Sequence, residues 1–320
     1  MKVGFKLFAE GFGPREIVEQ AVRAERAGFD FVEVSDHFHP WLEDQGHSGY
    51  VWSMLAAMAE RTERIELVSG VVCPTVRQHP AMVAQAAATT ALLSEGRFTL
   101  GVGSGERLNE HVIGAGWPSV TTRHEMLREA IEIIRLLWSG GYRSYEGKHI
   151  DLEDARIFDL PERLPEIVVA AGGERAAGLA AELGDGLFAT EADDTLTGTY
   201  RRKGGTGPAY GEVPLAWASD DGAALASARK QFRFGLTGWK VQSELPNPVN
   251  FAAATETVCE EDMAEAFGYG PDPERHVAAV RGFVDAGFDH LCLINAGPDP
   301  EGFFRFFEDE LSGPVRELGS

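Results

Sequence analysis

Cysteine is scarce in this chain: Cys73, Cys259 and Cys292 stand far apart with no CxxC or CxxH spacing, so neither a disulfide framework nor a zinc knuckle is indicated. A reducing cytoplasm suits such a sequence. Positive charge is also in short supply, with 29 Lys plus Arg against 50 Asp plus Glu and a formal net charge of −21. That balance repels polyphosphate backbones and offers no basic stripe to replace their counterions, so no nucleic acid partner is expected. No run of about 18 apolar residues occurs, and the N-terminal MKVGFKLFAEGFG has neither a long apolar core nor a small-residue cleavage site. The expectation is a soluble, cytoplasmic protein that is not secreted and has no membrane partner. A G-x-S-x-G nucleophile elbow, a G-x-G-x-x-G dinucleotide fingerprint and internal repeats are all missing.

What the chain does have is an alternation of short β-rich runs with helical patterns. Eight runs read as strands: Val3 to Leu7, Phe29 to Val34, Ile65 to Val72, Phe98 to Val102, Ile167 to Ala171, Gly186 to Ala189, Val213 to Ala216 and His290 to Ile294. Between them lie segments of 3.6 period, such as Pro14 to Ala27, Pro80 to Leu93 and Arg123 to Trp138. Eight such units in about 300 residues is the count for a TIM (β/α)8 barrel, with a doubly wound sheet as the alternative. Two regions interrupt the pattern. Gly140 to Pro165 contains a hairpin-like excursion over Tyr142 to Leu152, and Trp239 to Tyr269 is rich in Asn, Pro, Glu and Thr. Both read as loop insertions in one domain spanning residues 1–320.

The chemistry-bearing residues gather where strands end, which in a parallel α/β protein is the rim that binds ligands. Ser35-Asp36-His37-Phe38-His39-Pro40-Trp41 puts a carboxylate, an imidazole and an indole at the end of the second run. His37 is the candidate general base, Asp36 can hold its tautomer, and Trp41 can stack on a planar ring or fill the pocket wall. Gly101-Val102-Gly103-Ser104-Gly105-Glu106 with Asn109 places a glycine-rich turn and an acid on the same rim. Ala170-Ala171-Gly172-Gly173 opens the helix Glu174 to Leu183, whose free N–H groups offer a phosphate anchor beside Arg175 and Ala176. The pair His37 and His39 also raises a metallohydrolase, but the strand ends at residues 170–173 and 188–191 bring no further His. No metal is expected.

Together with Cys73-Pro74-Thr75-Val76-Arg77 and Gly184-Asp185-Gly186, these motifs make the chain resemble coenzyme F420-dependent oxidoreductases of the luciferase-like superfamily. More narrowly it is similar to their glucose-6-phosphate dehydrogenase subgroup, from Val3 to the C-terminal helix Phe303 to Leu311. The resemblance implies a luciferase-like TIM barrel, a homodimer, and hydride transfer between a substrate carbinol and the deazaflavin C5. It implies that His37 exchanges the hydroxyl proton, Glu106 serves the ring N1 side and Trp41 stabilises charge. Asp36, Ser104, Gly105, Asn109, Gly172 and Gly173 would contact the cofactor, and a non-proline cis peptide would fall at Gly70-Val71 behind the ring. Cys73 stands where the sugar-phosphate enzyme has threonine. Thr190 keeps the subgroup's identity at the substrate site. Asp193 and Glu265 match positions where that enzyme has lysines, so the expected substrate is a neutral or cationic alcohol, ketone or sugar, not glucose 6-phosphate. Two other readings stand beside this one: an FMN-dependent monooxygenase or reductase on the same barrel, and a non-catalytic deazaflavin-binding protein. Apolar helical faces over Val51 to Ala59 and Pro80 to Leu93 are the candidate dimer surfaces.

Overall fold

The computed structural model describes residues 1–319. Four β/α units open the chain. Strand β1 (Lys2–Leu7) leads to α1 (Pro14–Ala27), β2 (Phe31–Val34) to α2 (Val51–Arg61), and β3 (Glu66–Ser69) to α3 (Pro80–Leu93). Strand β4 (Phe98–Val102) is followed by a single turn, α4 (Arg107–Glu110), and the long α5 (Val120–Trp138). A two-stranded antiparallel excursion, β5 (Arg143–Tyr145) with β6 (Leu152–Ala155), fills the first interruption. The barrel resumes with β7 (Ile167–Ala170), α6 (Glu174–Leu183), β8 (Gly186–Ala189), α7 (Asp194–Arg202), β9 (Ala209–Ala216) and α8 (Asp221–Phe232). The second interruption holds three short helices, α9 (Trp239–Gln242), α10 (Pro248–Ala254) and α11 (Glu260–Ala266), then the two-residue β10 (Gly268–Tyr269). Helix α12 (Pro273–Asp285), β11 (His290–Asn295), α13 (Pro300–Phe306) and α14 (Ser312–Glu317) finish the chain.

Strands run β9-β11-β1-β2-β3-β4-β7-β8, every neighbour parallel, and β8 pairs back onto β9 through Leu187↔Ala209 and Phe188↔Tyr210. That last pairing closes the barrel and removes the doubly wound alternative. The fold is a TIM barrel.

Local chemistry explains the elements. Helix α1 starts with Pro14 in its first turn, the Glu16 carboxylate accepts the Gly13 N–H at 3.0 Å, and Gly28 ends it at φ 85°. Its buried stripe is Ile17, Val18, Ala21, Ala24 and Ala27. Phe29 was expected in the second strand, but β2 begins at Phe31; Phe29 instead stacks on Phe307 at 3.8 Å beneath the barrel. The third strand is shorter than Ile65 to Val72, because the chain leaves the ladder after Ser69 and only Val72 returns, as a bridge to Val102. Strand β9 is longer than expected, since the ladder with β11 starts at Tyr210 despite Gly211 and Pro214.

Alternate residues of each strand face inward. Phe31, Val68, Val168, Phe188, Tyr210 and Cys292 form an apolar interior layer, and Gly4 leaves room for the Phe31 ring, which a Cβ there would overlap. Two residues further along β2 and β9 come Glu33 and Glu212, and one pair later on β2 comes Ser35 at the mouth.

Candidate active site

The mouth is built around the loop that leaves β2. His37 Nδ1 lies 2.5 Å from Glu10 Oε1, and His37 Nε2 lies 3.8 Å from Glu106 Oε1. An imidazole of β2 and carboxyls from the loops after β1 and β4 therefore converge. Glu10 also accepts the Ser35 hydroxyl at 2.7 Å. Burial by itself would raise Glu10, but the adjacent His37, with Ser35 and Lys6, outweighs it and holds the carboxyl at about 2. For His37, burial works against the charged form, yet Glu10 and Glu106 overcome it and raise the imidazole above its ordinary value. The pair thus favours a protonated imidazole facing the Glu10 carboxylate.

Asn109 fixes the rest of the loop. It is fully buried, its Oδ1 accepts the Phe38 and His39 N–H groups at 2.7 and 2.9 Å, and its Nδ2 donates to Glu106 Oε1 at 2.5 Å. Both ends of this amide are engaged inside the protein, which makes Asn109 the strut that sets Glu106 against His37. His39 Nδ1 meets the Leu108 carbonyl at 3.0 Å, so the two histidines do not share a ligand. Among the described residues, no group of three His, Cys, Asp or Glu side chains is placed to hold a metal ion.

Asp36 is buried against Arg77, whose Nη2 donates to Oδ2 at 2.7 Å, and against Gln78. Burial raises its carboxyl even with Arg77 alongside. Its Oδ1 is buried with no donor. Arg77 also faces Glu110, which burial pushes to about 7. Burial lifts the Cys73 thiol well above its usual range, with Glu106 and Glu110 adding to it.

The seat between these groups is floored by glycine. The Gly70–Val71 peptide is cis. A Cβ at Gly101 would overlap the Ser69 carbonyl, one at Gly103 would come 2.8 Å from Val71, and Gly105 turns at φ 81° against Glu110. Ser104 is half-buried beside it. Trp41 closes one side, edge-on to His37 at 4.9 Å and stacked at 4.7 Å and 6° on Phe234, in the turn just after α8. Phe251 meets the same indole edge-on. An open cleft of about 610 Å³ runs beside this loop, lined by His39, Pro40, His47, Asn247 and Val249.

The other sequence-derived residues lie further out. Gly172 is covered by Trp239, whose ring a Cβ there would approach to 2.7 Å, while a Cβ on Gly173 would meet open space. The first-turn N–H groups of Glu174, Arg175 and Ala176 lead α6 from that point, and the Arg175 guanidinium donates to Thr121 at 3.1 Å. Thr190 is exposed after β8, and Asp193 caps α7 by accepting the Thr195 N–H at 2.8 Å. Glu265 is exposed on α11, about 200° around the helix from the buried Met263. Sequence reasoning also missed Glu10, whose only signal was a carboxylate three residues past the end of β1.

The barrel and its mouth define a luciferase-like enzyme, and residues 1–290 match the luciferase-like monooxygenase family, to which the chain belongs. Among its relatives, the F420-dependent glucose-6-phosphate dehydrogenase of Amycolatopsis mediterranei is 37% identical across the whole of both chains. That of Intrasporangium calvum is 38% identical over 99% of this chain and all of its own. An F420-dependent secondary alcohol dehydrogenase, solved with an F420-acetone adduct, superposes with a TM-score of 0.91 at 27% identity, covering 98% of this chain and 99% of that one.

Proposed function

We propose that the chain is an F420-dependent oxidoreductase that moves a hydride between the deazaflavin and a small neutral alcohol or ketone. The observation that carries this reading is the half-buried His37 held between Glu10 and Glu106 above a glycine-floored seat. The unpartnered Asp36 Oδ1 gives that seat an acceptor for a hydroxyl or N–H, as a polar ring system requires. Asp36, Gly70, Val71, Cys73, Ser104 and Gly105 would hold the ring, and Gly172, Gly173, Arg175 and Ala176 the anionic tail.

When bound, F420 supplies the carbon that gives or takes the hydride. His37 supplies the proton to a carbonyl oxygen during reduction, or takes it from the hydroxyl during oxidation. Glu10 holds the imidazolium and orients the ring through Nδ1, which leaves Nε2 for the substrate oxygen. Glu106, fixed by Asn109, balances charge on the opposite side. Trp41 and its aromatic neighbours keep water from the reacting atoms.

On the substrate side, the loop after β8 carries Glu191, Asp193 and Asp194. A phosphate dianion meets like charge there, which argues against glucose 6-phosphate even though the curated relatives are named for it. The reading also places the protein in the cytoplasm as a homodimer, joined through the outward face of α3 where Met82, Leu92 and Leu93 are exposed. No helix among the described residues is long and apolar enough to cross a membrane.

Purified protein is titrated with F420 and with FMN, then supplied with secondary alcohols or glucose 6-phosphate while deazaflavin absorbance is followed. Saturable F420 binding and turnover with a secondary alcohol are expected. FMN binding without F420 binding would favour an oxygen-using flavoenzyme, and saturable oxidation of glucose 6-phosphate would overturn the substrate class.

A further inference from the structure

Below the mouth, the barrel encloses three ionisable side chains that take no part in the reaction just described. Lys6 on β1, Glu33 on β2 and Glu212 on β9 have side chains 10, 0 and 12% exposed. Lys6 Nζ lies 2.5 Å from Glu33 Oε1, contacts Glu212 Oε1 and donates to the Gly70 carbonyl at 3.1 Å. Gly70 has no room for a side chain, because a Cβ would overlap the Glu33 carboxyl. The ammonium thus ties the barrel interior to the segment that backs the proposed ring seat.

One ammonium against two enclosed carboxyl groups leaves one negative charge in excess, above an apolar layer that cannot solvate it. One carboxyl therefore keeps a proton. Glu33 is that carboxyl. It is fully enclosed, burial lifts it well above the usual carboxylate range, and its Oε2 has no donor facing it, which leaves that oxygen free to carry the proton. For Glu212, burial is outweighed by Lys6 and by the hydrogen bond from Glu33, so it stays anionic. Cys292 is the other titratable neighbour, and burial keeps its thiol protonated.

We infer that Lys6 is a positioning residue of the site: it pins the Gly70 carbonyl behind the seat, and its charge, balanced by one anion shared between Glu33 and Glu212 one layer below the Ser35–Glu10 hydrogen bond, modulates the proton affinity of the Glu10–His37 pair. The groups facing His37 are Glu10 from the loop after β1, Glu106 from the loop after β4, Asp36 in its own loop, and Lys6 from below. Lys6 favours the deprotonated form of both Glu10 and His37. The link to function rests on the proposed F420 reading, but the test does not.

The test is a proton NMR titration of the histidine rings in cofactor-free protein. In Lys6→Met the shared anion is left without its cation, and the His37 midpoint moves up by about half a unit or more while the infrared carboxylate band shows that anion retained; where the band shows both carboxyls protonated, the cluster is again neutral and the midpoint stays in place. Glu33→Gln leaves it in place, because that group is already neutral. Glu212→Gln also leaves it in place, because Glu33 then releases its proton and becomes the anion. The double Glu33→Gln/Glu212→Gln variant leaves Lys6 uncompensated and moves the midpoint down. A folded Lys6→Met protein that retains the carboxylate band with an unmoved midpoint would overturn the inference, as would a single carboxamide shifting it as far as the double. Should Lys6→Met not fold, the three carboxamide variants decide by the same criterion. Failure of the wild type to bind F420 would sink the functional reading and leave this one standing.

Discussion

The two sides of the barrel mouth are built differently. After β2 and β4, the central polar side chains are held by one another: His37 by Glu10 and Glu106, Glu106 by Asn109, Asp36 by Arg77 and Gln78. After β8 and across α11, Thr190 and Glu265 stand exposed, and Asp193 is engaged only in capping its own helix. Proton transfer needs groups fixed to within fractions of an ångström, whereas substrate choice is set by what the looser side admits. On the proposed reading, the fixed side would carry the proton chemistry and the open side the choice of substrate.

Substitutions on the two sides should therefore differ sharply in size. The largest stability loss is expected for Asp36→Ala, which strands the half-buried Arg77 guanidinium; about 3 kcal/mol is anticipated by denaturant unfolding, moderated because Glu110 still faces the arginine. Next comes Asn109→Ala, which leaves the Phe38 and His39 N–H groups without their acceptor and should cost about 1–3 kcal/mol. The same variant frees Glu106, so turnover should fall more than cofactor affinity does. If Asn109→Ala costs nothing, the fixed side is not fixed by this strut.

The pH dependence sharpens the contrast further. Glu10 is lower in the folded protein than in the unfolded chain, so it contributes stability that is complete above the ordinary value of 4.5 and is lost as pH falls towards about 2. His37 is raised by folding, so its contribution is complete below 6.5 and disappears as pH rises through the folded value. Thermal unfolding in Glu10→Gln should lose both limbs, and retention of the acid limb would contradict the pairing. The smallest effect belongs to the open side. Asp193→Asn keeps the helix cap, so stability should change by less than about 0.5 kcal/mol, while the KM for an anionic substrate drops only a few-fold in this solvent-screened position. A change of a hundred-fold would show that Asp193 lines a closed pocket after all.

The sequence made the fixed side readable because its residues sit in unbroken stretches at strand ends. Residues 35–41 and 101–109 each follow an apolar run whose end marks the rim, so the convergence of His37 with Glu106 could be anticipated before any coordinates. Glu33 could not be read this way. In Phe31-Val-Glu-Val34 it looks like the solvent face of an ordinary alternating strand, and only barrel closure turns that face inward. Glu10 was hidden for a related reason, since a lone carboxylate after a strand carries no pattern until β2 brings His37 beside it. Glu265 had no such anchor, because the second interruption has no periodic frame to fix its register, and short helices stand where a loop was expected. Strand β9 was cut short in the reading because Gly211 and Pro214 look like breakers, yet parallel pairing with β11 runs through both.

The most direct test of the proton apparatus is a single-turnover comparison of wild type and His37→Ala with F420 and a secondary alcohol. Deazaflavin absorbance reports the hydride step, and equilibrium fluorescence reports binding. The account expects cofactor affinity to stay within about three-fold while the hydride step slows by about 10² to 10⁴, the usual contribution of a positioned acid or base. An unchanged single-turnover rate in His37→Ala, with F420 still bound, would contradict it.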